Sequence, residues 1–256
     1  MLNLLAAEKI KLLRSKKLWI TLTILFFLPI LQAVNSVISV KYGDDLVQAI
    51  DTVVNGATGI LMIDKNGLTI LLVIVAFISF FIGEEFQHGT IRNTLSLGRS
   101  RTHYYLSKLV VASLLSLVGV IGMTIIGMIS FTIAFDFGDV EVTNYVSYAI
   151  KSFSTLYLLI LANVSIYVMI SFLTKSSSIS LVWGFLYTIA TGFLPGMFQQ
   201  TEHFKQITFW FTESFLFYSD FVNEVARFPE MVLVSVITIV LSSTVGILLF
   251  KRSDIK

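Results

Sequence analysis

The 256-residue chain has no cysteine, three histidines and three prolines, and only 13% of its residues are charged. Without cysteine there can be no disulfide and no thiolate metal site. His88, His103 and His203 are scattered and form no H-E-x-x-H pair, so no metal is expected. No G-x-S-x-G occurs, which removes the usual serine-hydrolase elbow. The dipeptide Gly-Lys is also missing, so a G-x-x-x-x-G-K phosphate loop is impossible. The chain therefore needs no cofactor of its own. Any ATP and Mg must act on a separate subunit.

What the chain has in abundance is apolar surface: 55% hydrophobic residues and a mean hydropathy of +0.85. A soluble domain of this length needs more polar surface, so the chain reads as an integral membrane protein. Six stretches carry no Asp, Glu, Lys or Arg, at 18–40, 66–83, 109–135, 152–174, 176–201 and 231–250. A bilayer crossing takes about 20 residues, so six transmembrane helices are expected. The second run is short and is extended back toward residue 61. The first run is too long for a signal peptide and has no small-residue cleavage site after it.

Charge sign alternates across these runs. Residues 1–17 sum to +4, 41–65 to −2, 84–108 to +2, 136–151 to −2, and 202–230 to −3. Cytoplasmic segments are enriched in Lys and Arg, which predicts cytoplasmic N- and C-termini. The spans hold no ionisable acid or base, which argues against an ion-coupled carrier. An ATP-driven permease, or a sensor or assembly subunit driven through the same cytoplasmic loop, fits better.

That loop reads EEFQHGTIRNTLSLGRSRTHYYLSK, from Glu84 to Lys108. Gly89 permits a positive φ and can break the incoming helix. Thr90 is an acceptable N-cap for a new short helix. Ile91, Leu95 and Leu97 give it an apolar side, and Gly98 can end it. Arg99 and Arg101 then lie near its C-terminal end, where cations are favoured. Glu84 and Glu85 can pair with cations such as Arg92 or Lys108.

This ordered pattern (Glu84-Glu85, Gly89-Thr90, Ile91 to Leu97, Ser100-Arg101, Lys108) resembles the signature of type-2 ATP-binding-cassette (ABC) permeases. The usual proline near the Ser-Arg is replaced by Gly98-Arg99. The resemblance implies an all-α integral membrane permease with an amphipathic N-terminal interfacial helix at 1–17. Spans follow at 18–40, 61–85, 108–135, 152–174, 176–198 and 230–250. A coupling helix lies in the loop 86–107, and a short re-entrant element lies at 199–229. The implied coupling residues are Glu84, Glu85, Gly89, Thr90, Ile91, Arg92, Leu95, Arg99, Arg101 and Lys108. The implied partners are an ABC-type ATPase subunit that carries ATP and Mg, and a second permease, copy or sibling. The implied setting is the bilayer of a bacterial cell membrane, with no nucleic-acid partner.

Three further expectations concern surfaces. Leu2, Leu5, Ala6, Ile10 and Leu13 give residues 1–17 an apolar side suited to the headgroup plane. Small residues recur every four positions in the fifth span. The resembled family forms its permease dimer interface partly through the fifth span, so Ser180, Gly184, Thr188 and Gly192 are candidates for that interface or for close packing within one chain. Asn35, Ser39, Thr69 and Ser79 are candidates for the cargo path. With no charge there, the path suits an amphipathic or hydrophobic cargo such as an antimicrobial peptide, a peptide toxin or a drug.

Overall fold

The computed structural model describes residues 2–42, 55–57, 59, 66–138, 145–198, 209–218 and 227–253. Among them every regular element is a helix. In chain order these are α1 (Leu2–Leu13), α2 (Lys16–Tyr42), α3 (Gly67–Gln87), α4 (Thr90–Ser96), α5 (Arg101–Phe135), α6 (Tyr145–Thr174), α7 (Ser177–Phe198), α8 (Thr212–Tyr218) and α9 (Phe228–Arg252). Helices are what lipid demands, because each backbone N–H and C=O must be satisfied within its own segment.

Five of these helices, α2, α3, α5, α6 and α9, are long and apolar enough to cross a membrane. The sixth expected span corresponds to α7, whose apolar part over Ser177–Phe193 is shorter. The expected second span at 61–85 is described from residue 66 onward. Its helix starts at Gly67, and residues 61–65 lie outside the described ones.

α6 is the centre of the bundle. α3, α5, α7, α8 and α9 all pack on it, while α2 packs on α5 and α3. Its buried face alternates apolar side chains such as Leu159 and Val168 with Asn163, Ser165 and Ser171. Those polar groups bind across helices. Ser165 bonds Ser242 of α9 at 2.6 Å and Ser171 bonds Ser180 of α7 at 2.6 Å. In lipid such bonds hold helices together where the hydrophobic effect cannot.

The stripe on α7 is used inside the chain, which corrects the dimer expectation. Ser180 is buried and also bonds Ser79 of α3 at 3.0 Å. Thr188 is buried and bonds the Tyr167 hydroxyl of α6 at 2.6 Å. A Cβ on Gly184 would overlap Val75 of α3, and Gly192 is buried as well. Small residues at this spacing do permit close approach, but the approach is to α3 and α6. The outer face of α7 carries large apolar groups instead, among them Val182, Trp183 and Leu186.

α3 and α7 come closest at Gly83. A Cβ there would enter the backbone of Ser177, which cannot move aside as a side-chain tip can. At Gly119 the nearest obstacle is only Leu25 Cδ1, a rotatable methyl, at 2.7 Å. Gly83→Ala is predicted to destabilise the protein by about 1–3 kcal/mol, the usual cost of overpacking, and Gly119→Ala by much less. Thermal unfolding of the two variants in detergent checks the difference.

Candidate functional site

The end of the bundle that carries α4 is built on charge pairs. α3 runs beyond its apolar stretch into Glu84 and Glu85, and α5 opens from Arg101 through Tyr104 to Lys108. Lys108 is 0% exposed. Its ammonium lies 2.6 Å from Glu8 of α1 and 2.7 Å from Glu85 of α3. It also sits over the Phe81 ring at 4.4 Å and the Tyr104 ring at 5.4 Å. Glu85 accepts from the Tyr104 hydroxyl and from Lys11 of α1 as well. Two buried carboxylates thus share two ammonium groups and a phenol. A buried cation needs such company, because losing water is costly unless partners replace it.

Glu84 faces the other way and pairs with Lys17 at the start of α2. The carboxylates therefore meet Lys11, Lys17 and Lys108; of the two cations anticipated, Lys108 is met and Arg92 is not. α1, α2, α3 and α5 are all tied together at this one place.

α4 lies on this cluster. Gly89 has φ +66°, the left-handed conformation expected of it, and Gly98 has φ +78°. A positive φ is easy for glycine and costly for other residues. Thr90 is not the N-cap. Gly89 holds that position, and Thr90 is the first helical residue, its hydroxyl donating to the Glu85 carbonyl at 3.1 Å. Ile91 is buried and Leu95 half-buried against the core, but Leu97 is 80% exposed and faces away. Arg92 and Arg99 are exposed, and with Leu95, Ser96 and Arg101 they line a surface recess of about 350 Å³.

Arg101 has a further role. Its guanidinium donates to the carbonyls of Phe250, Lys251 and Ser253 at 3.1, 2.8 and 2.6 Å, capping the end of α9. The carbonyls at a helix C-terminus lack partners of their own and carry the negative end of the dipole. Below lies an aromatic floor, with Tyr105 and Phe250 each 4.7 Å from Phe172. Of the ten residues proposed for coupling, Glu85, Ile91 and Lys108 are thus internal. Arg92, Arg99 and the flank of α4 are what a partner can touch.

α1 also differs from expectation in its packing. Its protein-facing side is Leu4, Leu5, Glu8 and Leu12, while Ala6, Ile10 and Leu13 stay outside. The apolar side read from the sequence is thus split, with Leu5 on the core and Ala6, Ile10 and Leu13 exposed, and Glu8 makes the ion pair. No pattern in residues 1–17 marks Glu8 as a partner for Lys108, a hundred residues away.

The proposed cargo residues do not form one path. Ser79 is buried against α7. Thr69 is exposed in a groove of about 520 Å³ between α2 and α3, lined by Ile20, Ile24, Leu72, Val73 and Phe77 among others. Neither Ser79, Asn35 nor Ser39 lines that groove.

At the opposite end, Gly67 of α3 packs on Leu216 of α8. α8 falls within the expected re-entrant region at 199–229, and its Glu213, Phe215 and Leu216 are buried among the spans. The six charge-free runs hold no acid, as expected, but Glu213 lies inside the bundle without belonging to any of them. It sits in the aromatic segment read as a re-entrant element, and no hydropathy window shows how deeply that segment is buried. The argument against an ion-coupled carrier from missing buried acids therefore fails, and the class must be decided otherwise.

The comparison with known proteins decides it. A family model described as ABC-2 family transporter protein matches residues 4–191. No curated protein matches the chain. The match covers most of the chain, and the chain belongs to the ABC-2 transporter family. It is a membrane permease subunit of an ABC transporter, of the kind that pairs with an ABC ATPase.

Lys108→Met removes the shared cation and leaves Glu8 and Glu85 facing each other in a dry site. The expected loss is about 3–5 kcal/mol of stability. Adding Glu85→Gln to that variant removes one orphaned charge and should recover part of the loss. A double-mutant cycle on detergent unfolding midpoints measures both.

Proposed function

We propose that the chain is the membrane-spanning subunit of a bacterial ATP-driven exporter, and that residues 84–108 receive the motion of a separate ATPase. In this reading α2, α3, α5, α6, α7 and α9 cross the membrane, and the charged cluster and α4 face the cytoplasm with both termini. The observation that carries it is the buried Glu8–Lys108–Glu85 bridge beneath α4. A push on α4 meets a rigid joint of α1, α3 and α5 rather than a soft loop, so it tilts those helices together.

The docking surface in this reading is basic. Arg92 and Arg99 would meet carboxylates of the ATPase, and Leu97 would enter an apolar pocket in it. A second permease, identical or sibling, would pack on the apolar outer faces of α2 and α7, since the small-residue stripe is occupied within the chain. The lateral groove between α2 and α3 supports an amphipathic or hydrophobic cargo, a peptide or a drug, entering from lipid.

The double charge reversal Arg92→Glu/Arg99→Glu tests the docking surface. It is expected to abolish co-purification of the ATPase while leaving membrane insertion and the detergent unfolding midpoint unchanged. Equal recovery of ATPase with both forms, together with normal export, would remove α4 as the docking element.

A further inference from the structure

Glu213 is a fully buried acid with no cation beside it among the described residues. Three hydroxyls surround it. Thr212 donates to Oε2 at 3.1 Å, and the Tyr187 and Thr191 side chains of α7 lie beside the carboxyl, close enough to favour its charged form. Thr212 in turn accepts from Asn163 Nδ2 of α6 at 3.0 Å. The remaining oxygen, Oε1, has no hydrogen-bond partner. This is a network that holds a carboxyl but does not neutralise it.

The site is deep. Tyr187 lies ten residues beyond Ser177, where α7 begins beside α4's end of the bundle. At about 1.5 Å per residue that is roughly 15 Å, about half of a hydrocarbon core roughly 30 Å thick. Among the described residues, the neighbours that can titrate or carry charge are few. α6 contributes Tyr167 and α7 contributes Tyr187. At the start of α9, Arg227 engages Glu230 at 3.4 Å and stacks over Phe209 at 3.5 Å. From α3, residues 67–83 contain no charged side chain.

We propose that Glu213 is a proton-binding site, and that its protonation latches α8 into the bundle. Burial raises the carboxyl above its ordinary range, with the surrounding hydroxyls opposing only part of that rise. The sign follows from linkage. The packed state binds the proton more tightly than a state in which α8 has swung out and Glu213 is wet. The latch therefore holds below the ordinary carboxylate range and is lost as pH rises through the raised value. A single linked proton changes the packed-to-open ratio by up to about tenfold per pH unit. If α8 faces the outer side, as the exporter reading has it, the latch is an outer gate that water opens by ionising it.

The cysteine-free chain makes the test direct. Ser214→Cys places a thiol at a buried position whose hydroxyl has no hydrogen-bond partner, and Trp210→Cys places one at an exposed position nearby. Full-length complexes in permeabilised membranes, open to reagent on both faces, are treated with a maleimide from about pH 5 to about pH 9. The ratio of the two labelling rates cancels the intrinsic pH dependence of thiols. The ratio is expected to rise with pH, by up to about tenfold per unit around the midpoint. Adding Glu213→Gln, which keeps the shape but cannot ionise, should hold the ratio low and flat. Adding Tyr187→Phe, which removes the hydroxyl beside the carboxyl that favours the ionised form, should move the rise to higher pH. A ratio that is flat in the parent, or that rises equally with Glu213→Gln, overturns the proposal. So does a ratio that follows sodium against choline at fixed pH. A separate arm with impermeant reagent on intact cells asks whether Trp210→Cys is reached from outside. Failure there contradicts the exporter orientation and leaves the latch result standing.

Discussion

The buried ammonium of Lys108 is the constraint on which one end of this protein depends. It is fully buried, with two carboxylates within 2.7 Å and aromatic faces on its flanks. Such a pair is weak as a source of stability but costly to break from one side. Its value is therefore positional. Glu8, Glu85 and Lys108 come from three helices, so none of the three can rotate or slide without separating charges in a dry site. α4 rests on this joint through Thr90 and Ile91, and Arg101 extends it to the end of α9. In the proposed exporter, a joint of this kind would pass a push on α4 to three helices at once.

The two ends of the bundle handle buried acids differently. At α4's end the carboxylates are matched by lysines. In the half that holds α8, Glu213 has only hydroxyl and amide neighbours. A matched pair keeps its charge state over a wide pH range, and an unmatched acid does not. The first arrangement suits a fixed joint and the second suits a switch. The small-residue contacts of α7 with α3 and α6 lie between them.

Much of this was legible in the sequence. Long charge-free runs gave the helices, and Gly89 and Gly98 announced the breaks around α4 through the positive φ that they adopt. What could not be read was which neighbour each face meets. The stripe from Ser180 to Gly192 signals a close approach, but spacing does not say whether the approached helix belongs to the same chain. α1 looked amphipathic in the correct sense, yet its acid and not its leucines makes the long-range bond. The aromatic segment around Glu213 announced a re-entrant element, but not that its acid would be buried. Hydropathy reads segments one at a time, and burial of α8 depends on α3, α6, α7 and α9 together.

The most direct measurement is a pair of distances in the complete transporter, read by spin labels on engineered cysteines with and without trapped nucleotide. One pair joins Leu97→Cys beside α4 to Ile10→Cys on α1, and the other joins Leu97→Cys to Trp210→Cys ahead of α8. All three positions are exposed in the chain. The account predicts that nucleotide leaves the first distance unchanged, because α1 and α4 ride on one charged joint, and shifts the second. A change in the first distance with the second constant would contradict it, since the loop would then move without carrying the helices.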